Sequence, residues 1–357
     1  MAVRSVARWF LGAAIALPIL GLLGAWTVGK HDSGTHNSEA QSGLAAASGS
    51  YGWPVKPFDA IHPVRSNFGD PRTLFYGPPT AATLYGGNGS FTFHPGIDIV
   101  APDGTPVYPV RSGVVTANRA CKVFVDSGNG VVFQYWHIFP VVKVGQRVGA
   151  YTTVLGHVRP GYGHVHFAEV RGGRAVNPLA TGHLSPYDDR TTPRLGAIEF
   201  RRPGTPEELL PELVRGRVEI DVPAYDDPDP AGPGEWAIMP TVPALVTWRV
   251  ERARDGAVAI GERTAFDVRT FVPRSSEFWR FYARGTRQNM ATFKGHRYWR
   301  QVGVFVLRLG VLDTRRLKDG IYAVVVNARD IRNNTASARG IFLIYNRPGW
   351  PPKTPQG

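Results

Sequence analysis

Two short histidine-bearing phrases limit this chain more than any other feature. His94 and Asp98 stand four residues apart in FHPGID, and His164 and His166 two apart in GHVHF. Positions i and i+2 share one face of a strand, so the second phrase aims both imidazoles at one place if it is extended. In the first phrase Pro95 and Gly96 break a helix, while Ile97, Ile99 and Val100 favour strand. Four fully extended residues would hold His94 and Asp98 roughly 13 Å apart, too far for one metal with bonds of about 2 Å. The chain must therefore bend at Pro95-Gly96. Two imidazoles and one carboxylate with an open fourth position are the usual ligands of a hydrolytic zinc site. A metal held this way brings the pKa of its water to about 7 and polarises a carbonyl.

The remainder of the sequence agrees with β structure. Gly and Pro are plentiful, with 41 and 30 residues, and long helical periodicities are scarce. Between 51 and 190 short apolar stretches (VVTA, KVFVD, GVVFQYWHIF, TTVLGHV, HVHFAEV) alternate with Gly, Pro and Asn turns. Strands at this density imply a sandwich or flattened barrel. The segment 73–93 is a long Gly- and aromatic-rich loop, where Tyr76, Tyr85 and Phe91 either wall a groove or simply pack the loop. The lone Cys121 excludes an intramolecular disulfide and a Cys-based zinc site, and beside Ala120 and Val123 it reads as a core residue.

The stretch from about Val64 to Leu179 resembles the lysostaphin-type peptidoglycan endopeptidases, or LytM domains. The matching phrases run in order: RSNFGDPR (65–72), HPGIDIVAPDGTPVYPVRSGVV (94–115), FQYWHI (133–138), VKVGQRVGA (142–150), GHVHFAEVR (163–171) and VNPL (176–179). The resemblance implies an all-β catalytic sandwich or flattened barrel of the duplicated hybrid motif type. It implies that zinc (Zn2+) is held by His94, Asp98 and His166. His164 and His137 would be the two catalytic histidines outside the ligand set, flanking the attacking water and the scissile carbonyl. The implied activity is endopeptidase cleavage of peptidoglycan stems or cross-bridges. Two departures stand out. RSNFGDPR carries one residue more than the family's phrase, which shifts Arg72. Ala168 intervenes before Glu169, which turns that carboxylate to the other strand face. Glu169 would then either orient a ligand imidazole or face solvent, and His157 and His183 read as structural.

Residues 191–357 change character. After TPEELLPELVRG, a short amphipathic stretch, come RVEIDVPAYD, ALVTWRVERA, AVAIGERTAFDV, VGVFVLRLG, GIYAVVVNARD and RGIFLIYN. DGIYAVVVNARDIRNN resembles the last hairpin of bacterial immunoglobulin-like domains, implying a second β-sandwich that binds or spaces rather than catalyses. Asp226, Asp227 and Asp229, broken by Pro228 and Pro230, read as a solvated loop rather than a calcium site.

At the other end, Arg4 and Arg8 precede an uncharged, mostly apolar run from Trp9 to Val28. It is about as long as a spanning helix needs, and longer than a usual signal core. The expected layout is a membrane anchor or signal over 1–30 and a flexible linker over 31–50. A zinc endopeptidase domain comes next over 51–190, then an immunoglobulin-like domain over 191–357. Positive charge in front of the run orients the rest of the chain outward, so the expected location is the cell envelope, anchored to the bacterial membrane or secreted. The net charge of +13 suits an anionic polymer such as cell wall. No basic run accompanies it, so no nucleic-acid partner is expected. Two other readings compete: a non-catalytic wall-binding relative that regulates another hydrolase, and an iron oxygenase built on His-x-His plus a carboxylate. Such oxygenases take the carboxylate inside or after that motif; here it comes first.

Overall fold

A computed structural model describes residues 49–75, 89–289 and 302–347. The N-terminal segment 1–30, nearly all of the linker 31–50, Tyr76, Tyr85 and His296 lie outside the described residues. Among the described residues no helix is long and apolar enough to cross a membrane.

The fold is all-β. Its largest sheet has eight strands, ordered Val64–Ser66, Ile97–Val100, His164–Arg171, Val131–Trp136, Lys122–Asp126, Gly113–Arg119 and Arg147–Val148, with Arg174–Val176 pairing His164–Arg171. Alternation decides its faces. Val123, Val125, Phe133, Tyr135, Val165 and Phe167 share one buried cluster with Val107, Ile138, Leu155 and Val158, from or beside the three-stranded sheet Pro106–Val107, Gly156–Val158 and Ile138–Pro140. The opposite face of the central strands carries His164, His166, Asp98 and Trp136.

Residues 194–344 build two further sheets. One centres on Arg217–Tyr225, paired with Arg194–Leu195, Glu199–Arg201 and Val306–Asp313. The other orders Val258–Asp267, Leu245–Arg252, Gly320–Arg329 and Thr335–Ile344. The amphipathic stretch TPEELLPELVRG holds the two-residue strand Glu208–Leu209 and the 3-10 turn Pro211–Leu213. The only α-helix among the described residues is Phe278–Phe281.

Two side chains, Cys121 and Asp226, depart from the sequence reading, and Phe91 takes the packing alternative. Cys121 is half-exposed in the hairpin turn before Lys122, with φ of 61°, and Arg159 reaches its sulfur. Asp226 is buried rather than solvated, whereas Asp227 pairs with Arg194. Phe91 packs on Phe278 and Trp279, with ring centroids 5.6 and 4.6 Å away.

Glu169 neither faces solvent nor bonds to His94 or His166. The one-residue offset puts it on the Phe167 side of its strand, opposite Phe133 and fully buried. There the Tyr51 hydroxyl (2.5 Å), His183 Nδ1 (2.7 Å) and Arg171 Nε (2.5 Å) all donate to it. Burial opposes its charge, but the hydrogen bond and charge of His183, then Tyr51 and Arg171, hold its carboxyl below the usual range. A depressed carboxyl contributes stability above its unfolded pKa, about 4.3, that is lost as pH falls through the folded value. Glu169→Gln should therefore cost about 3 kcal/mol at neutral pH, and less in acid, in denaturant unfolding. An equal cost at both pH values would show that shape rather than charge matters there.

The described residues between 49 and 347 belong to one compact unit, and its two sets of sheets are joined through polar and aromatic contacts. Phe93 meets Phe278, Phe281 and Tyr282, with centroids 5.5–6.0 Å apart. The Tyr282 hydroxyl donates to Gly69 O (2.8 Å), and Asn177 N donates to Thr270 O (2.9 Å). A fragment confined to 51–190, the span expected from sequence to form the endopeptidase domain, would expose this seam. We expect it to aggregate or lose cooperative unfolding, read by gel filtration and thermal melts. A monomeric fragment that melts cooperatively would refute that.

Candidate metal centre

The strand pairing assembles the centre. His166 lies directly across from Asp98 in the antiparallel pair, and Asp98 across from Ser66 on its other side. Cross-strand partners share a face, so register alone brings His166 beside Asp98. His94 arrives from the end of the strand Gly89–Phe93, and the chain bends at Pro95-Gly96 before Ile97–Val100 begins. That is the bend the spacing demanded.

Three atoms converge. His94 Nε2 is 2.7 Å from His166 Nδ1 and 3.1 Å from Asp98 Oδ1, and His166 Nδ1 is 3.2 Å from the same oxygen. All three residues are buried. Ligands on a tetrahedral zinc with bonds of 2.0–2.1 Å stand about 3.4 Å apart, slightly wider than this triangle. The His94 Nδ1 atom donates to Asn67 O (2.9 Å), so its Nε2 offers a lone pair to the triangle. Burial, then the Arg72 charge, drive the His94 pKa down to about 3, which keeps it a neutral donor. Burial would raise Asp98, but the surrounding His94, His164 and His166 outweigh it and hold the carboxyl well below its usual range. A hard carboxylate and two imidazoles suit zinc.

Arg72 reaches the site despite its shifted place in sequence. One guanidinium nitrogen is 3.0 Å from Asp98 Oδ2 and 2.8 Å from Ser66 Oγ, leaving Oδ1 turned to the histidines. Gly96 is needed for close approach: a Cβ there would fall 2.4 Å from Phe167 O and 2.9 Å from His166 Nε2.

His164 and His137 flank the triangle without joining it. His164 Nδ1 donates to Tyr162 O (2.6 Å), so Nε2 carries the lone pair, 3.7 Å from Asp98 Oδ1 and 3.2 Å from an Arg65 nitrogen. Burial, then Arg65, keep its pKa well below the ordinary value. His137 sits between two strands with φ of 64°, a conformation uncommon outside glycine. Its ring stacks on Tyr162 (4.5 Å) and lies 4.6 Å from His164, and burial lowers its pKa to about 4. Both imidazoles are neutral at pH 7. His157, by contrast, is exposed on its strand.

Sequence reasoning missed several contributors. Ser66, Asn67 and Asp70 lie in the RSNFGDPR phrase, and nothing in their spacing announced contact with His94. Trp236 comes from the far half of the chain and covers Arg65, with the guanidinium 3.7 Å from its ring.

The model of peptidase family M23 matches residues 92–178. Peptidoglycan DD-endopeptidase ShyA of Vibrio cholerae is 33% identical over 132 residues, which cover 34% of this chain and 28% of ShyA. The chain thus matches little more than a quarter of that curated relative's length. A zinc-containing peptidase from Vibrio cholerae is 22% identical, over 36% of this chain and 39% of that one, with a TM-score of 0.28. The catalytic domain of the prophage-encoded M23 protein EnpA from Enterococcus faecalis is 24% identical, over 36% of this chain and 98% of that one, with a TM-score of 0.26.

Because Gly96 faces backbone, Gly96→Ala should force the loop away from His166. We expect zinc affinity to fall about 10- to 100-fold and stability by about 1–3 kcal/mol, measured by competition with a chelating dye and by unfolding. Unchanged zinc affinity would show that the bend is not fixed by this contact.

Proposed function

We propose that this chain, which carries a LytM-type peptidase family M23 domain over residues 92–178, is a zinc endopeptidase that hydrolyses peptide bonds in peptidoglycan. The observation that carries the reading is the meeting of His94 Nε2, Asp98 Oδ1 and His166 Nδ1 at one point, with His164 and His137 beside it. His94, Asp98 and His166 would hold the ion. Zinc, when bound, supplies a Lewis acid that acidifies water and polarises a carbonyl.

The chain's own residues do the rest. His164, fixed by Tyr162 O with its Nε2 lone pair inward, takes the proton from the attacking water and returns it to the leaving amine. His137, held neutral, donates a hydrogen bond to the oxyanion that develops on the scissile carbonyl. Arg72 fixes the rotamer of Asp98, and Asn67 O fixes the tautomer of His94. The surrounding protein shields the site from bulk water, since His94, Asp98, His164, His166 and Asn67 are all buried.

The wider layout belongs to the same reading. Residues 1–30 would anchor the protein in the bacterial membrane or export it, 31–50 tether it, and 51–190 work on the wall side. Residues 191–357 would form an immunoglobulin-like β-sandwich. The net charge of +13 supports attraction to anionic wall polymers.

Purified sacculi incubated with the full-length protein, with and without a zinc chelator, should release muropeptides only in the chelator-free sample. His166→Ala should lose the metal. His164→Ala and His137→Ala should keep zinc yet lose about 10²–10³-fold or more in rate. Metal content measured beside turnover decides it. Zinc loss in His164→Ala would exchange the two members of the His-x-His pair, and a zinc-loaded wild type that releases nothing would make the protein a wall-binding relative instead.

A further inference from the structure

Asp189, Asp226 and Asp330 bring one carboxylate oxygen each to within 4.8 Å of one another, all three buried. They come from distant pieces of chain: the segment after Pro186, the end of Arg217–Tyr225, and the start of the loop after Gly320–Arg329. Three buried carboxylates repel one another unless something positive joins them.

Two of the three have partial support. Asp189 accepts from Thr191 N (3.0 Å), Thr191 Oγ1 (2.7 Å) and the Tyr187 hydroxyl (3.1 Å). Asp330 accepts from Arg332 N (2.8 Å), Asn334 N (2.8 Å) and Asn334 Nδ2 (2.6 Å). Asp226 differs. It is only 2% exposed, and its Oδ1 is buried without any hydrogen-bond partner. Asp70 and Asp227 are further carboxylates acting on it.

We propose that Asp189, Asp226 and Asp330 form a second cation site, for Ca2+, separate from the histidine centre. The ligands are all oxygen, which selects a hard cation over zinc. A spread of up to 4.8 Å matches oxygens on opposite sides of an ion with bonds of 2.3–2.6 Å. Each carboxylate oxygen keeps a lone pair beyond those its donors use, and water can complete the 6–8 ligands. Burial, then Asp189, Asp330, Asp227 and Asp70, push the Asp226 pKa well above the ordinary value, as expected where charge goes uncompensated without an ion.

The site's place in the fold gives it a purpose. Asp226 and Thr241 exchange backbone hydrogen bonds (2.8 and 2.7 Å), Thr241 Oγ1 accepts from Asn67 Nδ2 (2.9 Å), and Asn67 O accepts from His94 Nδ1 (2.9 Å). A cation at the trio therefore fixes the strand end that supports the His94 loop. It takes no part in hydrolysis.

The test uses full-length protein in detergent, stripped of divalent cations and returned to a constant free zinc concentration. Tb3+ bound at the trio should luminesce on excitation of Tyr187, and Ca2+ should compete the signal away. Ca2+ at about 100 times its Kd should raise the melting temperature by about 4 °C. Asp226→Asn should lose both responses, and Asp227→Asn, at a position paired with Arg194 outside the trio, should keep them. Where Asp226→Asn fails to fold, Asp330→Asn stands in. A wild type without competable Tb3+ luminescence or a Ca2+ shift overturns the site, as does an Asp226→Asn protein that responds like wild type. A calcium-free Asp226→Asn melting above a calcium-insensitive wild type would identify a proton-sharing acidic cluster instead.

Discussion

Asp70 is the joint on which the candidate centre rests. Its carboxylate is almost wholly buried and takes three donors, Ser66 Oγ (2.6 Å), Asn67 N (2.9 Å) and Val242 N (2.8 Å). Two of these shape the tight loop that holds His94, and the third belongs to the C-terminal half. The backbone completes the clasp, with His94 N donating to Asp70 O (2.8 Å) and Gly69 N to His94 O (2.9 Å). Burial pushes the Asp70 pKa up to about 6, against Arg72, Ser66 and the two backbone donors. The group is thus ionised at neutral pH only because its partners outweigh much of the desolvation. Remove Val242 and a buried carboxylate loses a donor one loop away from the candidate metal ligands. Geometry of the first half therefore depends on residues of the second.

Much of this was legible in the sequence, for reasons that differ from element to element. His164 and His166 could be placed because a strand has a strict period of two. The bend at Pro95-Gly96 could be placed because a metal's bond lengths forbid the extended alternative. The face taken by Glu169 followed from counting one extra residue, since a one-step shift reverses every side chain. Its partners did not follow: Tyr51 lies 118 residues before it, and no local rule links them. Asp226 was misread for the same reason. Its neighbours Pro228 and Pro230 mark a loop, while its burial, and its place beside Asp189 and Asp330, depend on distant pieces of chain that sequence cannot bring together. Phe278–Phe281 escaped notice because four residues carry too little periodicity to register as a helix.

His137 and Gly96 place backbone strain and close contact beside the candidate centre. His137 adopts φ of 64° at the break between Val131–Trp136 and Ile138–Pro140, which turns its ring away from the strand alternation and onto Tyr162. A regular strand there would have sent the ring to the apolar face with Tyr135. Gly96 is pressed against Phe167 O, so the loop carrying His94 packs directly on the strand carrying His166. Such conformations persist because the surroundings over-determine them: Arg159 N donates to His137 O (2.8 Å), and both neighbouring strands are paired.

Arg65 shows how far the influence of the C-terminal half extends. Its guanidinium lies between the Trp236 ring and His164 Nε2, nearly sealed from solvent. Burial lowers its pKa to about 9, partly offset by Asp98, so it stays cationic at neutral pH. A cation facing that nitrogen disfavours protonation of His164, whose pKa is already depressed by burial. Trp236 has no chemistry of its own. By stacking on Arg65 it holds a positive charge against His164 Nε2, the nitrogen that carries that ring's lone pair. The basicity of His164 is therefore set jointly by the Tyr162 carbonyl behind it and by a tryptophan more than seventy residues downstream.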